Sequence, residues 1–163
     1  GTAPVFHVRG LMVATLYKSI PTIVRYDRSG KVQSVSRALD QPTSVTCTVK
    51  SILVMYGLPR LLTGCILAHE LMHAYLRMRN VYGLPQKTEE GMCQLMACIW
   101  LDQQHGKLGK DPKLQRLSSF LAFQIREDRS VIYGDGFREA YDAFQRMGLA
   151  ALVKKVIETG KFN

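Results

Sequence analysis

The segment Leu67-Ala68-His69-Glu70-Leu71-Met72-His73-Ala74 sets two histidines four residues apart, with a glutamate directly after the first. Residues at that spacing lie on one face of an α-helix, so both imidazoles can reach a single metal ion while Glu70 stands beside it. Zinc accepts neutral imidazole and carboxylate ligands, and a hydrolytic site keeps three protein ligands and leaves the fourth position to water. The metal lowers the pKa of that water toward ~7, and a neighbouring carboxylate can accept its proton during attack on a carbonyl. Glu70 is the natural base.

The bland alternative is a pair of hydrogen-bonded core histidines. Leu62, Cys65, Ile66, His69, Met72, His73 and Leu76 recur at helical spacing, so the histidines fall on the stripe that should face the core. A carboxylate would be carried partly inside with them, and buried glutamate is rare unless paired or bound to metal. That favours the metal reading.

A third ligand has to come from elsewhere in the chain. The three-histidine pattern HExxHxxGxxH is excluded, because Leu76 stands where glycine is needed and Arg79 where the last histidine should be. The next acids are Glu89 and Glu90, at the head of a second apolar periodicity through Met92, Leu95, Met96, Ile99 and Trp100 that predicts a helix from about Thr88. Adjacent helical residues point about 100° apart, so only one of the pair can face the metal. Glu90 is the expected ligand. Gln94, one turn on, is expected to hold the outer N–H of a ligating histidine, and Glu89 to be a solvated first-turn acid that favours the helix dipole.

Taken together, Tyr56-Gly57-Leu58-Pro59-Arg60 through Tyr75-Leu76-Arg77, Glu89-Glu90-Gly91-Met92-Cys93-Gln94, Trp100-Leu101 and Tyr133-Gly134-Asp135-Gly136-Phe137-Arg138 closely resemble the C-terminal peptidase domain of the plant DA1 and DA1-related proteins. The likeness is strongest from about Val45 to Asp102. It implies a gluzincin-like zinc metallopeptidase, with Zn2+ held by His69, His73 and Glu90 and with Glu70 catalytic. Gluzincins commonly place the glutamate ligand directly before a small residue, and Gly91 fits; many carry Asp one turn later, where this chain has Gln94. By analogy with the Tyr or His that gluzincins supply downstream, Tyr133 is a candidate oxyanion donor, with Arg138 as a second.

The resemblance further implies limited cleavage of growth regulators, ubiquitin ligases among them, in the control of cell proliferation and organ size. In that family the peptidase follows ubiquitin-interacting motifs and LIM modules and is activated by ubiquitylation. None of those modules lies within residues 1–163, which read as a single metallopeptidase domain excised from a longer chain. A competing expectation is a catalytically latent zinc-binding module for protein interaction. The presence of Glu70 disfavours it, as does the habit of structural zinc sites of filling all four positions, mostly with Cys.

The rest of the chain must position these groups. With 163 residues, of which 47% are hydrophobic, it can bury one core. No apolar run is long enough to span a bilayer. Four cysteines without the paired spacing of a zinc finger read as reduced packing residues of an intracellular protein, and the compartment expected is the cytoplasm, with the nucleus as an alternative. Of these, Cys93 alone is close enough in sequence to Glu90 to approach the metal. The net charge of +9 is spread along the chain without a phosphate-cradling loop or finger, which argues against nucleic acid as a partner.

Strands are expected at Val5 to Ala14, Pro21 to Tyr26, Lys31 to Val35 and Ser44 to Tyr56, with Asp27-Arg28-Ser29-Gly30 as a hairpin turn. In zincins substrate lies along an edge strand beside the active-site helix, a role expected here of Ser44 to Tyr56. The helix carrying His69 should begin between Pro59 and Thr63 and end near Arg79. Asp111-Pro112 marks another helix start, with Leu114, Leu117, Phe120, Leu121 and Ile125 as its apolar face. Asp135 is expected to cap a helix through Phe137, Tyr141 and Phe144, and Leu149 to Ile157 forms the last. The layout is α+β and zincin-like, a small N-terminal antiparallel or mixed sheet followed by helices.

Overall fold

The computed structural model describes residues 9–37, 44–109 and 111–163. Two antiparallel ladders come first: β1 (Gly10–Ser19) pairs with β4 (Ser44–Val54), and β2 (Thr22–Tyr26) pairs with β3 (Val32–Arg37). Among the described residues five helices follow, α1 (Arg60–Met78), α2 (Gln86–His105), α3 (Pro112–Arg126), α4 (Gly136–Met147) and α5 (Leu149–Thr159), with one π-turn, Val131–Asp135, leading into α4. The expected α+β order is present.

β1 begins later than the apolar run that starts at Val5, and residues 5–8 lie outside the described residues. The β2–β3 turn is where Asp27-Arg28-Ser29-Gly30 places it. Asp27 Oδ1 accepts from the backbone N–H groups of Ser29 and Lys31 at 2.8 and 3.0 Å, and Gly30 supplies the positive φ of 82°. The ladder that matters for the cleft is β1–β4, which packs on α1 and carries a bulge between Val13 and Ala14.

α2 is the central helix and contacts α1, α3, α4 and the π-turn. Met92, Cys93, Leu95, Cys98 and Leu101 on α2 are fully buried, together with Leu76 of α1 and Leu152 and Val156 of α5. α1 starts at the residue after Pro59, as Pro-ended loops favour, and Gly64 inside it has a packing reason: a Cβ there would sit 2.2 Å from the Trp100 ring. Its C-terminus closes on a Schellman motif. Asn80 takes the left-handed conformation (φ 56°), its N–H bonds to the Arg77 carbonyl and the Val81 N–H to the Leu76 carbonyl.

α2 begins at Gln86, two residues before the periodicity suggested. α3 is capped as expected, with Asp111 Oδ1 accepting from Lys113 and Leu114 N–H, but its buried side is Ser118, Leu121, Ala122 and Ile125. Leu114 and Phe120, assigned to the apolar face from spacing, are exposed. Asp135 does not cap α4. Its backbone is already helical, and Ser130 Oγ accepts from the N–H groups of Tyr133 and Gly134 at the start of the π-turn instead.

Two glycines set the approach of α2 to α4. A Cβ on Gly91 would lie 2.4 Å from the Gly136 carbonyl oxygen, and one on Gly136 would lie 2.5 Å from the Lys87 carbonyl oxygen. The helices therefore touch backbone to backbone beside Glu90. Alanine normally improves a helix interior by about 1 kcal/mol over glycine, whereas forcing atoms into a packed contact costs about 1–3 kcal/mol. We expect Gly91→Ala to destabilise the protein by roughly 1–3 kcal/mol in urea unfolding, while Gly106→Ala, at a position with helical φ and open space, is neutral or stabilising. Equal effects at both positions would show that the α2–α4 contact is not the constraint.

Candidate metal centre

The four-residue spacing puts His69 and His73 on the same side of α1, with ring centroids 5.1 Å apart and planes inclined by 66°. α2 crosses α1 so that its first turn faces this pair. Glu90 Oε2 lies 3.2 Å from His69 Nε2 and 3.6 Å from His73 Nε2. The expected trio is therefore brought together from two helices. Glu70 is buried in the same cleft, where β1 lies so close that a Cβ on Gly10 would come within 2.9 Å of Glu70 Oε1.

Glu90 Oε2 is buried with no hydrogen-bond partner, the kind of orphaned acceptor that a cation would satisfy. Burial alone would raise the pKa of Glu90, but the two imidazoles bring it down to about 2. Burial would lower the pKa of His73, yet its contacts with Cys93, Glu89 and Glu90 outweigh that and hold it up at about 12. Both shifts say that this spot selects for positive charge, a proton or a metal ion alike.

The surroundings of the trio correct the sequence reading. Glu89 is not a solvated acid: it is buried, and its Oε1 lies 2.7 Å from His73 Nδ1. It also accepts from the Arg77 guanidinium at 2.6 Å. Glu89, rather than Gln94, therefore holds the outer nitrogen of His73 and leaves Nε2 directed at Glu90. Arg77 was also missed, although its position one turn beyond His73 on α1 was a usable signal.

Cys93 offers a second possible third ligand, since its Sγ and the ring nitrogens of His69 and His73 lie within 4.8 Å of one another. Glu90 is the better placed donor: its Oε2, which has no hydrogen-bond partner, faces both Nε2 atoms at 3.2 and 3.6 Å, and a carboxylate is ionised without the metal, whereas burial pushes the Cys93 thiol up to about 11. Cys47 is half-buried, Cys65 and Cys98 are buried, and all four cysteines are free thiols.

Tyr133 lines the cleft, and its hydroxyl pKa is raised by burial and then by the charge of Glu90, which places it in the field of the centre. Arg138 does not reach the cleft. It bonds the Asp128 carbonyl at 2.7 Å and the Asp135 carboxylate, tying down the loop that carries Tyr133. Gly134 is needed in that loop because a Cβ would fall 2.0 Å from the Asp128 carbonyl oxygen.

The cleft has a volume of about 470 Å3 and is bounded on one side by Gly10, Leu11 and Met12 of β1. Its bordering strand is thus β1, and no residue of the Ser44 to Tyr56 segment, to which that role was assigned, lines it. A larger groove of about 850 Å3 lies between α1, α2 and α5. Its walls are mostly apolar and it holds no such cluster of ligating groups, so the candidate ligands lie in the smaller cleft. No helix among the described residues is long and apolar enough to cross a membrane.

Comparison with known proteins supplies the context. The chain is 39% identical over 145 residues to Protein DA1 of Arabidopsis thaliana, covering 76% of this chain and 27% of that protein. It is 37% identical to LIM domain-containing protein HDR3 of Oryza sativa subsp. japonica and 34% identical to Protein DA1-related 1 of Arabidopsis thaliana, in each case over 94% of this chain. Those matches cover 36% and 32% of the two relatives, so the chain spans about a third or less of the proteins it resembles. No solved structure matches. The family model described as DA1-like, Protein DA1, matches residues 1–114 and 103–159, and the chain belongs to the DA1-like family.

Proposed function

We propose that this chain is a zinc-dependent endopeptidase domain of the gluzincin type, in which His69, His73 and Glu90 hold the metal and Glu70 is the general base. The observation that carries the proposal is the buried Glu90 Oε2, without a hydrogen-bond partner and facing both Nε2 atoms, with Glu70 in the same cleft. Three protein ligands with a carboxylate base alongside suit a hydrolytic site better than a structural one.

Bound zinc would supply a Lewis acid for the scissile carbonyl and would lower the pKa of the attacking water. Glu70 accepts the proton of that water on its carboxylate and then delivers it to the leaving amine. Tyr133, held at the cleft edge by the Ser130-capped turn, donates its hydroxyl hydrogen to the developing oxyanion. The backbone of Gly10 to Met12 offers an extended edge along which a peptide can pair, and main-chain pairing of that kind is tolerant of sequence.

The substrates that fit the family resemblance are intracellular growth regulators, ubiquitin ligases among them, cut at a limited number of bonds under the control of ubiquitin. The free thiol state of all four cysteines agrees with a reducing compartment.

Zinc content and cleavage test these roles separately, using a quenched-fluorescence peptide library and candidate ubiquitin-ligase substrates. Glu90→Ala should lower zinc affinity by more than about 100-fold, exceeding the usual effect of an outer-shell change, while Cys93→Ala keeps the metal. A reversal of those two results would transfer the third ligand to sulfur.

Glu70→Gln should retain stoichiometric zinc and lose cleavage by roughly 10²–10⁴-fold. Tyr133→Phe should lower kcat by about 100-fold with KM little changed. Full activity in Glu70→Gln would remove the mechanism; bound zinc with no cleavage by the wild-type chain would favour the latent interaction module.

A further inference from the structure

Beside the proposed metal ligands, along the same cleft, runs a chain of polar contacts that the proposed chemistry does not use. His73 Nδ1 meets Glu89 Oε1 at 2.7 Å, and the same oxygen accepts from Arg77 at 2.6 Å. The other arm of the Arg77 guanidinium donates to the Val81 carbonyl at 2.8 Å. That carbonyl is aimed back at α1 by the Schellman turn, in which Asn80 adopts φ 56° and its Oδ1 accepts from the Cys47 N–H of β4 at 3.4 Å. The Arg77 side chain is 20% exposed and that of Glu89 is 10% exposed, so both charges sit largely out of solvent.

We propose that Arg77 is a positioning residue for the metal centre: its planar fork fixes the Glu89 carboxylate against the end of α1, and Glu89 in turn fixes the ring of His73 with Nε2 facing the metal. The inference rests on the zinc reading and deepens it.

The first reason is geometric. A guanidinium presents paired N–H donors in a rigid plane, so it can hold a carboxylate and a carbonyl together, which an ammonium on a flexible stem does poorly. The second is electrostatic. Glu70, Glu89 and Glu90 place three carboxylates around the centre, and a dication alone would leave one negative charge uncompensated in a largely buried cluster. Arg77, which lines the same cleft, supplies the third positive charge. The third reason is that its two contacts tie separate elements together, the Glu89 side chain on the first turn of α2 and the Val81 carbonyl held in a backbone turn. The end of α1 is thereby coupled to the orientation of a ligand one turn earlier.

The test is zinc affinity by chelator competition for the wild type, Arg77→Met, Arg77→Lys, Glu89→Gln and the Arg77→Met/Glu89→Gln double variant, with thermal unfolding of each metal-free protein alongside. Arg77→Met and Glu89→Gln should each weaken zinc binding by roughly 10–100-fold, and the double variant should be no weaker than Glu89→Gln alone. Arg77→Lys, which keeps the charge and loses the fork, should fall between wild type and Arg77→Met and covers the case in which Arg77→Met fails to fold. The proposal is overturned if either Arg77 variant binds zinc within about twofold of wild type. It is also overturned if Arg77→Met costs the same factor in the Glu89→Gln background as in wild type, because Arg77 would then act through stability alone. A wild-type chain that binds no zinc would instead bring down the metal reading itself, visible before any variant is made.

Discussion

The rest of this structure depends on compensating two adjacent acids near the start of α2, Glu89, which is buried, and Glu90, whose Oε2 is buried. Glu89 and Glu90 are carried against α1 by the helix crossing, and a carboxylate taken out of water has to be met by cations or donors. The acids divide the work. Glu90 turns to the Nε2 side of the histidines, and Glu89 turns to His73 Nδ1 and Arg77. Because neighbouring residues on a helix diverge by about 100°, the pair grips the same ring from two sides.

The crossing is held at that distance by places where no side chain fits. Gly91 meets the backbone of Gly136, Gly64 admits the Trp100 ring, and Gly10 lets β1 lie over Ile66 and Glu70. Each contact brings a different element to the same centre: α4 and its preceding loop with Tyr133, α2 with the two acids, and β1 with the rim of the cleft. The apolar core under α2 provides the rigidity, through Met92, Leu95, Leu101 and their neighbours on α1 and α5. A metal site needs this kind of support, because small displacements of a ligand cost affinity and rate.

Much of this was legible from residue order. The spacing of His69 and His73 required a helix, the Pro59 boundary was readable, and Asp111 caps α3 as its chemistry demands. Glu90 followed from helical geometry together with the family resemblance. What was not legible depends on partners distant in sequence. Glu89 looks like an ordinary first-turn acid until Arg77 and His73 are seen to face it, and Gln94 is the natural candidate for the outer contact from its place one turn beyond Glu90, although Glu89 makes that contact.

Asp135 resembles a cap, but the π-turn shifts the start of the helical segment back to Ser130. The strand at the cleft differs from the expected one for the same reason: β4 is slightly the longer candidate, yet it is β1 that supplies Gly10, Leu11 and Met12 to the cleft lining. The roles of Gly10, Gly64 and Gly134 are likewise set by what packs against them.

The central claim, that two imidazoles and the Glu90 carboxylate form one zinc site, is tested most directly by X-ray absorption at the zinc edge of the purified, metal-loaded chain. The account predicts a shell of nitrogen and oxygen neighbours at about 2.0–2.2 Å with two imidazole scattering signatures and no sulfur. A zinc–sulfur distance near 2.3 Å, marking Cys93 as a ligand, or a chain that retains no zinc at all, would contradict it.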